Sequence, residues 1–344
     1  MRDVVPVVRA VVPTRRDRVH SSPPLRFGAW WEQPDVRTAL TALLVAGAYY
    51  VGALIGLSVR FQSLPISPIW PPNTILLVAL LMMQPRTWRV TLLAVFGAHL
   101  LVELPNAVPL ATAIGLYFTN VGEAVLGAVL VRRFSSGAPW LGTLRRVVIY
   151  LLCAVVVAPV VTSFADAFVV VLTRWDSHYW LSWSTRCVSN IMAEVTIGPA
   201  LLLTLTGGKT WLRQASRLRL AEAALLAISL LVVGVAIFGG LIPWPVTHPV
   251  VLYAMLPFLL WATIRLGMGG TSAMLLGITV LATWSAIIGR GPFSASAPSE
   301  RVIALQVFLT GISATMLLLA ALLRDREGTK ANLRASEERY RSLV

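Results

Sequence analysis

Long apolar stretches separated by short polar connections dominate the chain from residue 37 to residue 323. Most of them reach the roughly 17–25 residues that a membrane-spanning helix needs. The pattern therefore predicts an all-α fold, a polytopic transmembrane helical bundle with about ten spans, and a count of about eight would keep both termini on the same side. The ten predicted segments cover residues 37–59, 72–84, 88–104, 108–131, 146–172, 183–205, 221–241, 249–265, 268–288 and 302–323.

A proline-rich stretch, residues 67–73 with the sequence SPIWPPN, separates the first two apolar segments. Its prolines exclude a helix interior, because each removes a backbone donor and clashes with the preceding turn. Trp70 beside them is typical of a membrane–water boundary. We predict that this rigid stretch closes the non-cytoplasmic mouth of the bundle. The second segment is short because it begins at Pro71 and Pro72, and Pro257 interrupts the eighth.

Polar segments flank the apolar region on both sides. Residues 1–36 are rich in Arg and Pro, which predicts a mostly disordered cytoplasmic tail. They are unlike a secretory signal peptide, because no apolar core follows the first basic residues. The chain thus divides into a basic tail at 1–36, a transmembrane domain at 37–323 and a cytoplasmic linker helix within 324–344.

The charge distribution supports a membrane protein. Only 13% of the residues are charged and 57% are hydrophobic, whereas soluble domains carry about 25% charged residues. The net charge of +14 comes from Lys and Arg in the two tails and in alternate connections, which predicts that both termini are cytoplasmic. The opposite connections carry only Arg60, Arg174, Arg290 and Arg301. No single basic face is formed, so we expect no nucleic-acid partner.

Common catalytic and metal-binding motifs are absent from the sequence. It contains neither an HExxH pair nor a nucleophile elbow. Cys153 and Cys187 lie in apolar segments outside any CxxC pair, so we expect neither a metal site nor a structural disulfide. We therefore expect no metal, no cofactor and no enzymatic activity within these 344 residues.

Polar side chains inside the apolar segments are the candidate functional residues, because charge at bilayer depth costs several kcal/mol unless it is paired. Arg186, Asn190 and Glu194 follow one another at intervals of four and share one helix face. Asn120 and Glu123 lie near mid-depth in the fourth span. We expect Glu123 and Glu194 at similar depth, where facing carboxylates would hold a proton or a cation.

Further polar pairs are expected near the non-cytoplasmic side. Asp166 lies at about the depth of Arg186, which favours an ion pair, and His99 is four residues before Glu103, which favours a hydrogen bond. The structural alternative is that such groups only join helices, at about 0.6 kcal/mol each. Trp70 is a candidate for a ligand pocket because prolines frame it. The ligand or sensing candidates are Trp70, Pro71, Asn73, Asn120, Glu123, Arg186, Asn190 and Glu194.

Four short motifs follow one another along the chain, and their order makes the set more specific than any one of them. They are SPIWPP at residues 67–72, NVGEA at 120–124, PF at 257–258 with WATIRLG at 261–267, and GRGPF at 289–293.

These motifs resemble the first type of bacterial membrane-associated sensor domain, of the MASE family, over about residues 40–325. In one respect the chain departs from that pattern. Many members carry Trp-Trp and then Gly-Asp in the sixth span, whereas this chain has Trp180 and Trp183 followed by Ser189 and Asn190.

The resemblance implies a sensory input module in the bacterial inner membrane that passes ligand binding to a cytoplasmic output such as a histidine kinase or diguanylate cyclase. Residues 335–344 resemble the opening helix of a PAS domain, and any output module would lie beyond Val344. The implied partners are the lipid bilayer, an unknown small ligand, an output domain or response regulator and, by analogy with sensor kinases, a second copy in a homodimer.

A small-molecule or ion transporter is the alternative function. Short helices broken by proline and carboxylates at mid-depth are also typical of secondary transporters. Against it, the two halves of the chain show no convincing internal repeat.

Overall fold

The computed structural model describes residues 34–60, 67–240, 249–294 and 298–341. The predicted disordered tail up to residue 33 and the end of the PAS-like stretch, 342–344, lie outside the described residues. The chain forms two compact units, Met1–Arg37 and Thr38–Val344. Of the first unit only the opening turn of a helix is described, and the second unit contains all the features discussed below.

Most of the described residues are helical and none of them lies in a strand, which confirms the predicted all-α class. Short 3-10 turns lie at Pro85–Thr87, Leu104–Asn106, Pro249–Met255 and Gly291–Phe293, and π-helical turns lie at Leu151–Val157 and Thr204–Gly208. The α-helices are α1 (Pro34–Ser58), α2 (Pro71–Met82), α3 (Trp88–Glu103), α4 (Leu110–Ser135), α5 (Leu144–Tyr150), α6 (Ala158–Leu172), α7 (Tyr179–Leu203), α8 (Lys209–Gln214), α9 (Arg217–Phe238), α10 (Leu256–Arg265), α11 (Gly267–Ile287) and α12 (Pro298–Arg341).

All ten predicted apolar segments correspond to helical segments. In the described ranges eight are long and apolar enough to cross a membrane, and the other two, Pro71–Met82 and Val251–Arg265, are shorter. These two are the segments that proline shortens or interrupts. The eight are Asp35–Ser58, Pro85–Asn106, Leu110–Ser135, Leu144–Leu172, Tyr179–Gln214, Arg217–Phe238, Gly267–Ile287 and Glu300–Arg339.

The short helix α2 lies in the middle of the bundle. Pro71 and Pro72 occupy its first turn, where a missing backbone donor costs no helical hydrogen bond. Most of its side chains are buried, and it packs against α4 and α7. Helix α1 also approaches it closely, because a Cβ added to Gly56 would lie 2.7 Å from the ring of Trp70.

Arg132 anchors the other end of α2. Its Nη2 donates hydrogen bonds to the carbonyl oxygens of Leu80 (2.8 Å), Leu81 (2.9 Å) and Met83, which satisfies acceptors that the helix end leaves open. The guanidinium also lies over the rings of Trp88 and Trp140. We call this end of the bundle, where Arg132 caps the end of α2 at Met82, the basic end.

Helix α12 has 44 residues, which corresponds to about 66 Å at about 1.5 Å per residue. The hydrocarbon core of a bilayer is only about 30 Å thick, so α12 extends well beyond its apolar part. At the basic end, Oδ2 of Asp325 accepts a 3.0 Å hydrogen bond from the backbone N–H of Leu144. That contact ties α12 to the first turn of α5.

Candidate functional site

A polar cavity of about 40 Å³ lies at the end of the bundle opposite the basic end. A cavity of this size holds about three water molecules. We call it the chamber, and its lining residues are Arg60, Ser67, Trp70, Glu103, Leu116, Asn120, Trp175, Arg186, Ser189 and Asn190.

The proline-rich stretch forms one wall of the chamber and is hydrogen-bonded on two sides. Ser189 Oγ on α7 donates to the carbonyl oxygen of Ser67 at 2.9 Å. Gln306 Nε2 on α12 donates to the carbonyl oxygen of Pro68 at 2.9 Å. These carbonyls are available because proline leaves the stretch without a helical or sheet partner. The wall that carries Trp70 is thus joined directly to α7 and α12.

The expected ion pair of Asp166 with Arg186 is present. Arg186 Nη1 lies 3.0 Å from Asp166 Oδ2, and the two side chains are 16% and 4% exposed. Thr119 Oγ1 donates to the other carboxylate oxygen of Asp166 at 2.5 Å. Pairing both oxygens offsets the cost of placing this charge among the helices. Arg186 Nε, by contrast, is buried with no hydrogen-bond acceptor in the part of the chain that the structure describes.

Amide side chains connect the chamber to the acidic groups behind it. Asn190 Nδ2 donates to Glu123 Oε2 at 2.7 Å, and Thr162 Oγ1 donates to the same oxygen at 3.0 Å. Asn73 Nδ2 reaches Asn120 Oδ1 at 3.5 Å, the long limit of a hydrogen bond. Among the sequence candidates, Trp70, Asn120, Arg186 and Asn190 line the chamber, whereas Pro71, Asn73, Glu123 and Glu194 lie outside its lining.

Glu123 and Glu194 are buried and close enough to interact electrostatically. In the part of the chain that the structure describes, neither forms an ion pair with a basic side chain. Glu123 Oε1 and Glu194 Oε2 have no hydrogen-bond partner among the described residues. The facing of the two carboxylates, and a proton or cation held between them, stay predictions.

The expected hydrogen bond of His99 with Glu103 is wrong. His99 Nδ1 instead lies 3.2 Å from Tyr49 Oη on α1, and Nε2 lies 2.9 Å from the carbonyl oxygen of Ala113 on α4. Because neighbouring helices occupy both ring nitrogens, none remains for a residue on the same helix. Glu103 lines the chamber.

The Gly291–Phe293 turn, which belongs to the last of the four sequence motifs, lies outside the chamber lining. Phe293 stacks on Phe238 and packs against Phe308, with ring centroids 6.5 and 6.0 Å apart. Gly291 has a φ of +73°, and a Cβ there would lie 2.6 Å from Ser285 Oγ. This motif therefore has a packing role.

Sequence reasoning missed Arg60, Ser67, Leu116, Trp175 and Ser189 as lining residues. Arg60 carried a usable signal, because it is the last basic residue before the proline-rich stretch. It lies beyond the end of α1, where burial lowers the pKa of its guanidinium and the Glu103 carboxylate opposes that shift. Within the described ranges, no group of three or more His, Cys, Asp or Glu side chains is arranged to hold a metal ion.

Comparison with known proteins places this chain among signalling proteins. The family model MASE1 matches residues 41–327. The chain is 27% identical over 233 residues to a protein of Escherichia coli (strain K12) described as probable diguanylate cyclase DgcE. That match covers 63% of this chain and 18% of the relative, so the chain spans about a fifth of that protein's length. No solved structure matches the chain.

Proposed function

Because the chain belongs to the MASE1 family of membrane sensor domains, we propose that it binds a small ligand in the chamber and passes this event along α12 to a cytoplasmic output module. The observation that carries the proposal is the hydrogen bond from Gln306 to the carbonyl oxygen of Pro68. It joins the chamber wall to the helix that leaves the membrane region.

The transmission step rests on the continuity of α12. Trp70 lines the chamber, Pro68 lies two residues before it, and Gln306 holds Pro68 from within the buried face of α12. A helix transmits displacement along its axis because its backbone hydrogen bonds keep it rigid. At the basic end α12 contacts α5 through Asp325. A ligand shifts this system only if it binds one arrangement of wall and helix more tightly than the other.

The output is proposed from the relative. Since the matched protein is described as a probable diguanylate cyclase, we propose a cyclase or a comparable signalling enzyme as the module that α12 drives. Basic residues gather on the connections at the basic end, which supports a cytoplasmic position for that end and an inner-membrane location. The PAS-like start, the response regulator and the homodimer stay predictions.

Transport is the second candidate function. The observation that favours it is the burial of the Glu123 and Glu194 carboxylates, which form no ion pair in the described ranges, beside the short helix α2, since secondary transporters place such groups at interrupted helices. Flux of protons or Na⁺ into proteoliposomes that contain the chain would support this function, and absence of flux would contradict it.

The sensing proposal is tested in a fusion of the chain to a diguanylate cyclase module in membranes. Trp70→Ala removes the indole from the chamber wall, and Trp211→Ala changes a Trp outside that lining as a matched control. We expect altered cyclase output only for Trp70→Ala, at equal amounts of inserted protein. Equal output from both variants and the parent would contradict the assignment of the chamber.

A further inference from the structure

Two side chains of opposite charge line the chamber and form no ion pair with each other in the described residues. Arg60 and Glu103 both line it, and their charges interact electrostatically. In the described ranges neither residue takes part in an ion pair. Glu103 is 4% exposed, and a lone charge in such a position is costly unless something solvates it. The chamber thus offers one cationic and one anionic contact that the protein leaves open.

The remaining lining groups add donors beside Arg60. Arg186 uses Nη1 for Asp166, and its Nε has no acceptor among the described residues. Trp70 Nε1 likewise has no acceptor among them. Guanidinium and indole N–H groups only donate hydrogen bonds. A ligand that contacts this side of the chamber needs acceptor atoms, and a carboxylate matches a guanidinium best.

The total charge of the side chains around the chamber indicates which class of ligand fits it. The guanidinium groups of Arg60 and Arg186 are balanced by the carboxylates of Glu103 and Asp166, so the chamber region is neutral overall. A simple anion would meet repulsion from Glu103, and a simple cation would meet repulsion from Arg60. A small molecule with both charges satisfies each side, and like-charge contacts penalise the other classes.

We infer that the chamber binds a small zwitterion of the amino-acid class, with its carboxylate at Arg60 and its ammonium group at Glu103. The inference rests on the proposed function only in taking the chamber as the ligand site. The cavity has room for about three water molecules, so glycine, the smallest amino acid, is the expected ligand, and alanine and serine test how large a side chain the chamber admits.

Binding to the purified full chain in lipid nanodiscs tests this inference directly. Trp70 and Trp175 line the chamber, so tryptophan fluorescence reports its occupancy, and calorimetry gives an independent measurement. The probes are glycine, alanine and serine, compared with propionate and ethylamine, which each lack one charge. We expect saturable binding of an amino acid and binding of both single-charge analogues weaker by about tenfold or more, which corresponds to about 1.4 kcal/mol.

Variants locate the two contacts. Arg60→Gln and Glu103→Gln should each weaken amino-acid binding by about tenfold or more, again about 1.4 kcal/mol. Arg290→Gln and Glu300→Gln, which change charges outside the chamber lining, should leave binding unchanged. If a chamber variant does not fold, the series of analogues on the unaltered chain still decides the question.

Several results would overturn the inference: no amino acid binds, propionate binds as tightly as alanine, or Glu103→Gln leaves affinity unchanged. Failure of the proposed function is distinguishable, because the binding assay needs no output module. Amino-acid binding without any change in cyclase output would contradict signal transmission alone. Output that depends on Trp70 without amino-acid binding would contradict the zwitterion alone.

Discussion

Gln306 on α12 donates a 2.9 Å hydrogen bond to the carbonyl oxygen of Pro68, a residue 238 positions earlier in the chain. Both residues are buried. Pro68 belongs to the stretch that forms the chamber wall, and Gln306 belongs to the helix that continues to Arg341. One hydrogen bond therefore connects the proline-rich stretch of the chamber wall to the helix that continues beyond the apolar part of the bundle.

Gln306→Leu tests this connection. It removes the donor while keeping a side chain of similar size, and the Pro68 carbonyl is left unpaired. We expect a loss of about 1–3 kcal/mol in the free energy of unfolding and a cyclase fusion whose output no longer responds to occupancy of the chamber. Thermal unfolding and output per inserted protein measure the two effects. Thr315→Val, on the exposed side of α12 with its hydroxyl bonded to its own helix, is the control, and equal behaviour of the two variants would refute the connection.

Breaking the ion pair of Asp166 with Arg186 from one side should be costly. Arg186→Ala leaves the Asp166 carboxylate buried and uncompensated, so we expect a loss of about 3–5 kcal/mol in the free energy of unfolding. The double variant Asp166→Asn with Arg186→Gln should recover part of this loss, because no unpaired charge remains. A double-mutant cycle on detergent-solubilised protein measures the coupling. Additive effects of the single changes would argue against a stabilising pair.

Gly56→Ala should disturb the chamber through Trp70. The added Cβ would lie 2.7 Å from the Trp70 ring, closer than packed atoms approach, so the helix or the ring must move. We expect a loss of about 1–3 kcal/mol in the free energy of unfolding and a shift in tryptophan emission. Gly47→Ala is the matched control on the same helix, since a Cβ there meets nothing within 4 Å. If both variants unfold alike, α1 does not pack closely on Trp70.

Asp176 should make stability depend on pH at the acidic end of the range. It lies between α6 and α7, beside the lining residue Trp175. Partial burial raises the pKa of its carboxyl, but hydrogen bonds from Ser182 Oγ (2.8 Å) and from His178 outweigh burial, and the net shift is downward. A lowered pKa in the folded state stabilises the fold above the unfolded value of about 3.9, and the contribution is lost as the pH falls through the folded pKa.

The measurement for Asp176 is the difference in melting temperature between the parent chain and Asp176→Asn. We expect the parent to be more stable at neutral pH and the difference to shrink below about pH 4. Titrating groups that do not contact Asp176 contribute equally to both proteins. His178 Nδ1 lies 3.3 Å from Asp176 Oδ1, so the same comparison is made in a His178→Gln background, where the difference isolates Asp176. A difference that is constant across this range would contradict a lowered pKa at Asp176.

The helices of this protein can be predicted from its sequence because membrane insertion depends on length and apolar character, which are local properties. Pro71 and Pro72 likewise indicate the start of a short helix, since proline fixes its own φ and is tolerated in the first turn of a helix. The pairing of Asp166 with Arg186 could be predicted from their depth, because the two residues carry opposite charges and lie at about the same depth in two consecutive spans.

The sides that each helix turns toward its neighbours follow from packing over the whole bundle, and spacing along one helix does not specify them. His99 and Glu103 are four residues apart, yet His99 hydrogen-bonds to α1 and α4 while Glu103 faces the chamber. Arg60, Glu103 and Ser189 meet around one cavity although they lie far apart in the chain. The sequence by itself therefore defines which segments form apolar helices and where polar groups enter them. Helix rotation and close approach, as at Gly56 and Trp70, determine which of those groups share a site, because contacts between distant segments exist only in the assembled bundle.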